Sequence, residues 1–227
     1  MKKSRSDFIP AQESAWFITI FDWYVRFLFR RRFHRVWIQQ NYIPATDSKT
    51  IYFLNHTSWW DGLIPLLLNR KVFKQKARAM MEDRQMKQHS FFKKIGAFSV
   101  SLENPRSAIK SMRYAVSSLD RPNSSLFIYP EGEIMPFSTA QIKFKKGLAW
   151  IAEKRNDTDL VPVGIYFHFA KSDKPELFIK IGTAVDYKKI DDTDKLNSLF
   201  EKRLSGLLGD LKKEAHSGDY SYYKRLL

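Results

Sequence analysis

The chain has 227 residues, no Cys, 39 Lys and Arg against 24 Asp and Glu, and a formal net charge of +15. That length suits one domain with a sizeable core, and 44% hydrophobic with 15% aromatic residues excludes a disordered chain. Without Cys there is no disulfide framework, thiolate-bound zinc, iron–sulfur cluster or Cys nucleophile; the charge points to nucleic acid, an anionic membrane surface or an acidic protein as partner.

Met1 to Pro10 is basic and polar, without the apolar core and small-residue cleavage site of a secretory signal. A helix is expected over about Ser14 to Gln40. Its apolar stretch, Ala15 to Phe29, is interrupted by Asp22 and Arg26 and falls short of the roughly 20 apolar residues of a spanning helix. Trp16, Phe17, Ile20, Phe21, Trp23, Tyr24, Phe27 and Leu28 nearly encircle it, and Arg30, Arg31, Arg32 and Arg35 follow. Rings at headgroup level with cations on anionic phosphates make an interfacial anchor. The plainer alternative is an amphipathic helix packed on its own domain.

Asn41 to Ser48 reads as a loop, and Thr50 to Leu54 as a strand of β-branched and aromatic residues. A helix over Trp59–Asn69, a strand over Ala77–Met81, a basic helix over Asp83–Lys94 and a strand over Ala97–Ser101 are expected next. Pro105 opens a helix with Ile109, Met112, Val116 and Leu119 on one face. Strands follow at Ser125–Tyr129, Val161–Phe169 and Leu177–Val185, with a short helix at Gly147–Arg155 between the first two. The last helix starts near Asp191-Asp192, whose acids suit a helix N-terminus. Strands alternating with helices predict an α/β layered domain with a mostly parallel sheet.

The sharpest chemical signal is Asn55-His56-Thr57-Ser58-Trp59-Trp60-Asp61-Gly62, where a strand gives way to a helix. Ligands in α/β sheets bind at that strand edge. An Asp five residues after the His can fix the imidazole tautomer, leaving the other ring nitrogen to take a proton from a hydroxyl. Read alone, the same residues also fit a helix cap with Asp61 in water. Ser58 is expected to cap the helix rather than to act as a nucleophile. Tyr129-Pro130-Glu131-Gly132-Glu133 follows another strand, so it is expected on the same edge; Gly132 permits positive φ. The remaining four His (His34, His89, His168, His216) have no carboxylate at a recognisable ligand spacing, and no metal is required.

Together these residues resemble the lysophospholipid (glycerolipid) acyltransferase family. Its Asn-His-x4-Asp hallmark corresponds to Asn55–Asp61, its Gly-x-x-Phe-like block to Gly96–Val100, its Phe-Pro-Glu-Gly block to Tyr129–Gly132, and its Val-Pro-Val block to Val161–Val163, in family order. The resemblance implies an α/β acyltransferase fold and acyl transfer from a thioester, acyl-CoA or acyl carrier protein, to a lipid hydroxyl. It implies His56 as general base held by Asp61, direct attack without an acyl-enzyme, and an acceptor oriented by Glu131, Gly132, Pro130 and Asn55. A backbone N–H near Thr57 or Gly132 is the expected oxyanion donor. No cofactor is called for. Residues 1–45 then form a membrane-anchoring region and 46–227 the acyltransferase domain, peripheral on the cytoplasmic face of a membrane such as a bacterial inner membrane.

Many phosphate-handling members carry Arg at two places where this chain has Leu102 and Ile134. Arg suits phosphate through bidentate, charge-assisted bonds. Arg106, Lys110, Arg113, Lys143, Lys145 and Lys146 are possible substitutes, with Arg106 at a helix N-terminus as a phosphate ligand. The acceptor is therefore a lysophospholipid, or a lipid without a phosphomonoester: a glycolipid, glycosylated carotenoid or acyl-amino-acid lipid. Trp59 and Trp60 are expected to stack on a sugar, line an acyl tunnel or fill core. Between Arg70 and Arg113, 12 Lys and Arg face three acids, which suits a rim meeting a membrane or an anionic donor. A nucleic-acid binder would share the basic and aromatic composition, yet no nucleic-acid motif is present, and nucleic acid is not expected as a partner. A non-catalytic membrane scaffold would not need His56, Asp61 and Glu131.

Overall fold

The run Thr-Ile-Tyr-Phe-Leu has large apolar side chains on both faces, so it is stable only as a central strand covered on both sides. In the computed structural model, which describes residues 8–140, 142–169 and 172–227, it forms β2 (Lys49–Leu54), buried from Thr50 onward. The other strands are β1 (Val36–Gln40), β3 (Lys76–Glu82), β4 (Ala97–Val100), β5 (Ser124–Ile128), β6 (Asp159–His168), β7 (Glu176–Ile181) and β8 (Lys224–Arg225). The helices are α1 (Ala15–Arg32), α2 (Ile64–Leu68), α3 (Asp83–Gln88), α4 (Pro105–Ser118), α5 (Gly147–Lys154) and α6 (Thr193–Ser217). Residues 1–7, most of the basic N-terminal stretch, lie outside the described residues.

The eight strands form one sheet in the order β4-β3-β5-β2-β6-β7-β1-β8. From β4 to β6 all neighbours are parallel; β7 runs antiparallel to β6 and parallel to β1, and β8 closes the edge antiparallel to β1. This is the mostly parallel α/β sheet expected. On one face α4, α5 and α6 bury Ala115, Leu148, Phe200 and Leu204 against Ile51, Phe53 and Leu126. On the other, α1 and α2 bury Val25, Phe29 and Leu67 against Tyr52, Leu54 and Phe127.

Several boundaries differ from expectation. The first helix stops at Arg32 instead of continuing to Gln40, because Phe33 turns extended (φ −107°, ψ 143°) and Val36–Gln40 pairs in parallel with β7. The unpaired edge of β7 and the inward Val36 and Ile38 outweigh helical continuation. The sheet thus begins before residue 45. The helix expected over Trp59–Asn69 is a 3-10 turn (Trp59–Leu63), then α2 with Pro65 in its first turn, then a π turn over Asn69–Phe73. The helix expected over Asp83–Lys94 divides into α3 and a 3-10 turn, Ser90–Ile95. Gly96 ends it at φ +99°, where a Cβ would stand 2.6 Å from the Ala77 carbonyl oxygen.

The rings of α1 divide between two environments. Phe21 packs on Phe91 and Phe92 while Val25 and Phe29 enter the core. Trp16, Ile20, Trp23, Tyr24 and Phe27 stay exposed at the i, i+4, i+7, i+8, i+11 spacing of one helix face. Among the described residues, no helix is long and apolar enough to cross a membrane.

Candidate active site

Parallel strands β2 and β5 run side by side, with Phe53 opposite Ile128, so the segments that leave their carboxyl ends must meet. The Asn55–Asp61 turn and the Tyr129–Gly132 turn accordingly form one cluster. His56 Nδ1 lies 3.2 Å from Asp61 Oδ2, and Asp61 is fully buried. The same oxygen accepts the backbone N–H groups of Thr57 at 2.6 Å and Ser58 at 2.8 Å. Three convergent donors hold the carboxylate in place while it orients the imidazole. Ser58 does cap the turn: its Oγ accepts the Trp60 N–H at 3.1 Å.

Tyr129 fixes the ring from the other side. Its ring lies against His56, centroids 4.5 Å apart, and its hydroxyl donates to the Asp61 carbonyl oxygen at 2.5 Å. Burial, then the Asp61 charge, pushes the Tyr129 phenol well above its ordinary value, so it remains a donor. Glu131 Oε1 accepts the His56 backbone N–H at 3.1 Å. Burial raises the Glu131 carboxyl above the usual glutamate range, opposed chiefly by that N–H. Gly132 sits at φ +80°, and a Cβ there would stand 2.8 Å from Lys145 Cδ, Cε and Nζ. The glycine thus makes room for the Lys145 side chain to lie across the turn.

The other expected site residues fall differently. Asn55 is buried and spends its amide on β6: Nδ2 donates to the Ile165 carbonyl at 2.9 Å and Oδ1 accepts the Ile165 N–H at 2.8 Å. It clamps β2 to β6 and has no amide atom turned to the cluster. Pro130 is buried, its carbonyl accepting the Lys145 N–H. Arg106 is exposed and does not line the cavity beside His56. The first amides of α4 are already capped, since Asn104 Oδ1 accepts from Arg106 and Ser107 N–H; they make no phosphate site. The two backbone groups expected as oxyanion donors are also engaged, Thr57 with Asp61 and Gly132 with the Tyr129 carbonyl. Trp60 is half-buried, packed on the core edge-on to Phe29 and Phe33, whereas Trp59 is exposed at the cavity.

That cavity, of about 780 Å³, begins at His56, Trp59, Gly132 and Lys145 and continues between apolar residues including Ala79, Met80, Met112 and Phe127. Its size and apolar walls with few polar groups at one end suit an amphiphilic ligand. Leu102 and Ile134 line it and are exposed. The part played by Lys145, and by the Tyr129 ring and hydroxyl, is not foreseen from spacing alone. Lys145 appears in sequence only as one of several lysines after the third block, and Tyr129 opens that block without a role of its own.

Residues 34–166, more than half of the chain, match the family described as Acyltransferase. No curated protein matches the sequence. Among solved structures the chain is similar to the 1-acyl-sn-glycerophosphate (LPA) acyltransferase, PlsC, from Thermotoga maritima. The TM-score is 0.61 and identity 20%, over 86% of this chain and 80% of that one, a likeness of fold. The family match covers the whole of the His56, Asp61 and Glu131 cluster and the strands that position it; this chain belongs to the acyltransferase family of enzymes.

Proposed function

We propose that the protein is a membrane-associated O-acyltransferase that moves a fatty acyl chain from acyl-CoA or acyl carrier protein to a hydroxyl of a lysophospholipid or related lipid. The observation that carries this reading is a buried-carboxylate–imidazole pair opening onto an apolar cavity. With Nδ1 facing Asp61, Nε2 of His56 takes the acceptor's hydroxyl proton as its oxygen attacks the thioester carbonyl. The tetrahedral intermediate collapses, the carbon–sulfur bond breaks, and the imidazolium returns the proton to the leaving thiolate. Asp61 stabilises the imidazolium throughout. Glu131 and the Pro130–Gly132 backbone orient the acceptor, and Lys145 places a cation beside them.

The exposed rings of α1, with Arg30, Arg31 and Arg32 exposed at its end, support a peripheral position on an anionic membrane, on its cytoplasmic face. Residues to about 45 include this element, and 46–227 carry the reacting groups. A second reading of the acceptor, a lipid without a phosphomonoester, is favoured by apolar Leu102 and Ile134 at the cavity. Mass spectrometry of products formed by the purified protein on anionic vesicles, with each donor and a panel of acceptors, tests both. Acylated lysophospholipid is expected; product from neutral acceptors alone would select the second reading. Absence of any acylated product would sink the proposal.

A further inference from the structure

Helix α4 carries Arg106, Lys110 and Arg113 and no acidic residue. A helix gains stability from acids in its first turn, where its dipole is positive. α4 has none there and sets Arg106 in that turn instead, so this charge works against the helix that bears it. Among the described residues neither Arg106 nor Arg113 is in an ion pair, and the acids flanking the helix are taken: Glu103 contacts Arg84, and Asp120 contacts Arg155.

Arg106, Ile109, Lys110 and Arg113 follow the i, i+3, i+4, i+7 spacing of one helix face, on the side opposite Ser107, Ser111 and Ala115, which are buried. All four are exposed, Ile109 at 52%; Lys110 lies over the Phe8 ring, 5.3 Å from its centroid. None of the four lines the cavity, so the face meets the body of a partner and not the reacting atoms. It begins at the mouth, because Leu102, which lines the cavity, immediately precedes α4. From Arg106 to Arg113 it runs about 10 Å. It also points away from the side of α1: α4 and α1 pack on opposite faces of the sheet, so a bilayer held on Trp16, Ile20 and Trp23 does not reach it.

On the acyl-transfer reading of His56, on which this depends, we infer that the donor is an acyl carrier protein and that its acidic surface docks on this face of α4. Carboxylates of the carrier pair with Arg106 and Arg113, and an apolar side chain covers Ile109 between them. The phosphates of coenzyme A need only a compact group of cations. An exposed isoleucine between arginines, on a convex helix turned from the cavity, matches a protein surface of mixed acidic and apolar character. With the carrier body on α4, its flexible thioester arm passes Leu102 to reach His56. A contact of this size is transient and screened by salt.

The test supplies one acyl chain on acyl carrier protein and on coenzyme A, at a fixed lipid acceptor. kcat/KM is measured for the unmodified protein, Ile109→Glu and Arg113→Glu. Both side chains are exposed and outside the cavity, so turnover of acyl-CoA is expected to stay within about twofold, which also reports an intact fold. With acyl carrier protein each variant is expected to lose about tenfold, because a new carboxylate faces the acidic partner. Equal losses with both donors in folded variants, no loss with the carrier protein, or turnover of acyl-CoA alone by the unmodified protein would overturn the proposal. So would weaker binding of both variants to anionic vesicles, which would make α4 a membrane contact. If the unmodified protein forms no acylated product from either donor, the proposed function fails instead, so the two failures are distinguishable.

Discussion

Asp61→Asn exchanges a buried carboxylate for an amide of the same shape, and its effect follows from the three donors on Oδ2: His56 Nδ1 and the Thr57 and Ser58 amides. An amide oxygen in that place still accepts from the backbone, so the turn persists. On the proposed mechanism, what disappears is the attraction between the carboxylate and the imidazolium formed during proton transfer. At 3.2 Å and an effective dielectric of ~20 that attraction is about 5 kcal/mol. With the His56 side chain 20% exposed, about 3 kcal/mol is a fair lower figure. At 1.36 kcal/mol per decade the loss in kcat is about 10²- to 10⁴-fold, read by thiol release from acyl-CoA with thermal unfolding in parallel. Asp61→Ala adds a structural loss, because two buried N–H groups lose their acceptor at about 1–3 kcal/mol each, roughly 5–20 °C in Tm. A kcat for Asp61→Asn within threefold of the unmodified protein, or an equal loss of Tm in both variants, would refute this reasoning.

Asn55→Ala leaves the Ile165 N–H and C=O without partners between β2 and β6; urea unfolding is expected to show about 2–4 kcal/mol less stability. Gly132→Ala adds a Cβ at φ +80° against Lys145, destabilising by about 1–2 kcal/mol and displacing the lysine, so KM for an anionic substrate should rise. For Glu131 the sign follows from burial: its folded carboxyl is raised above the ordinary 4.5. Its stabilising contribution is complete below that value and declines as pH rises through the raised one. Glu131→Gln keeps an acceptor for the His56 N–H and removes the decline, so its Tm should gain on the unmodified protein as pH rises from about 4.5. A pH-independent difference would contradict the cause given for the shift.

What was legible in the sequence was local. The apolar runs of β2 and β5 mark central strands, and the turns leaving them have to share an edge, so the residue pattern alone groups His56, Asp61 and Glu131. What was not legible depended on distant partners. Val36–Gln40 is a strand because β7 offers an edge, and the Trp37 indole bonds Glu176, 139 residues away. Asn55 looks like a site residue until Ile165, 110 residues on, takes both ends of its amide. Trp59 and Trp60 are identical neighbours, separated only by Phe29 and Phe33 claiming one of them. Arg106 at a helix N-terminus suggests phosphate, but Asn104 already satisfies the amides that phosphate would need.

The central claim is that His56 is the base for acyl transfer, and His56→Ala tests it most directly. Among the described residues its Nδ1 is the only part of the side chain in a hydrogen bond, to Asp61, so truncation should leave folding and vesicle binding near those of the unmodified protein. Turnover of acyl-CoA with a lysophospholipid acceptor is expected to fall at least about 10²-fold, the scale of general-base catalysis. Turnover within a fewfold of the unmodified protein, with Tm and vesicle binding intact, would contradict the account.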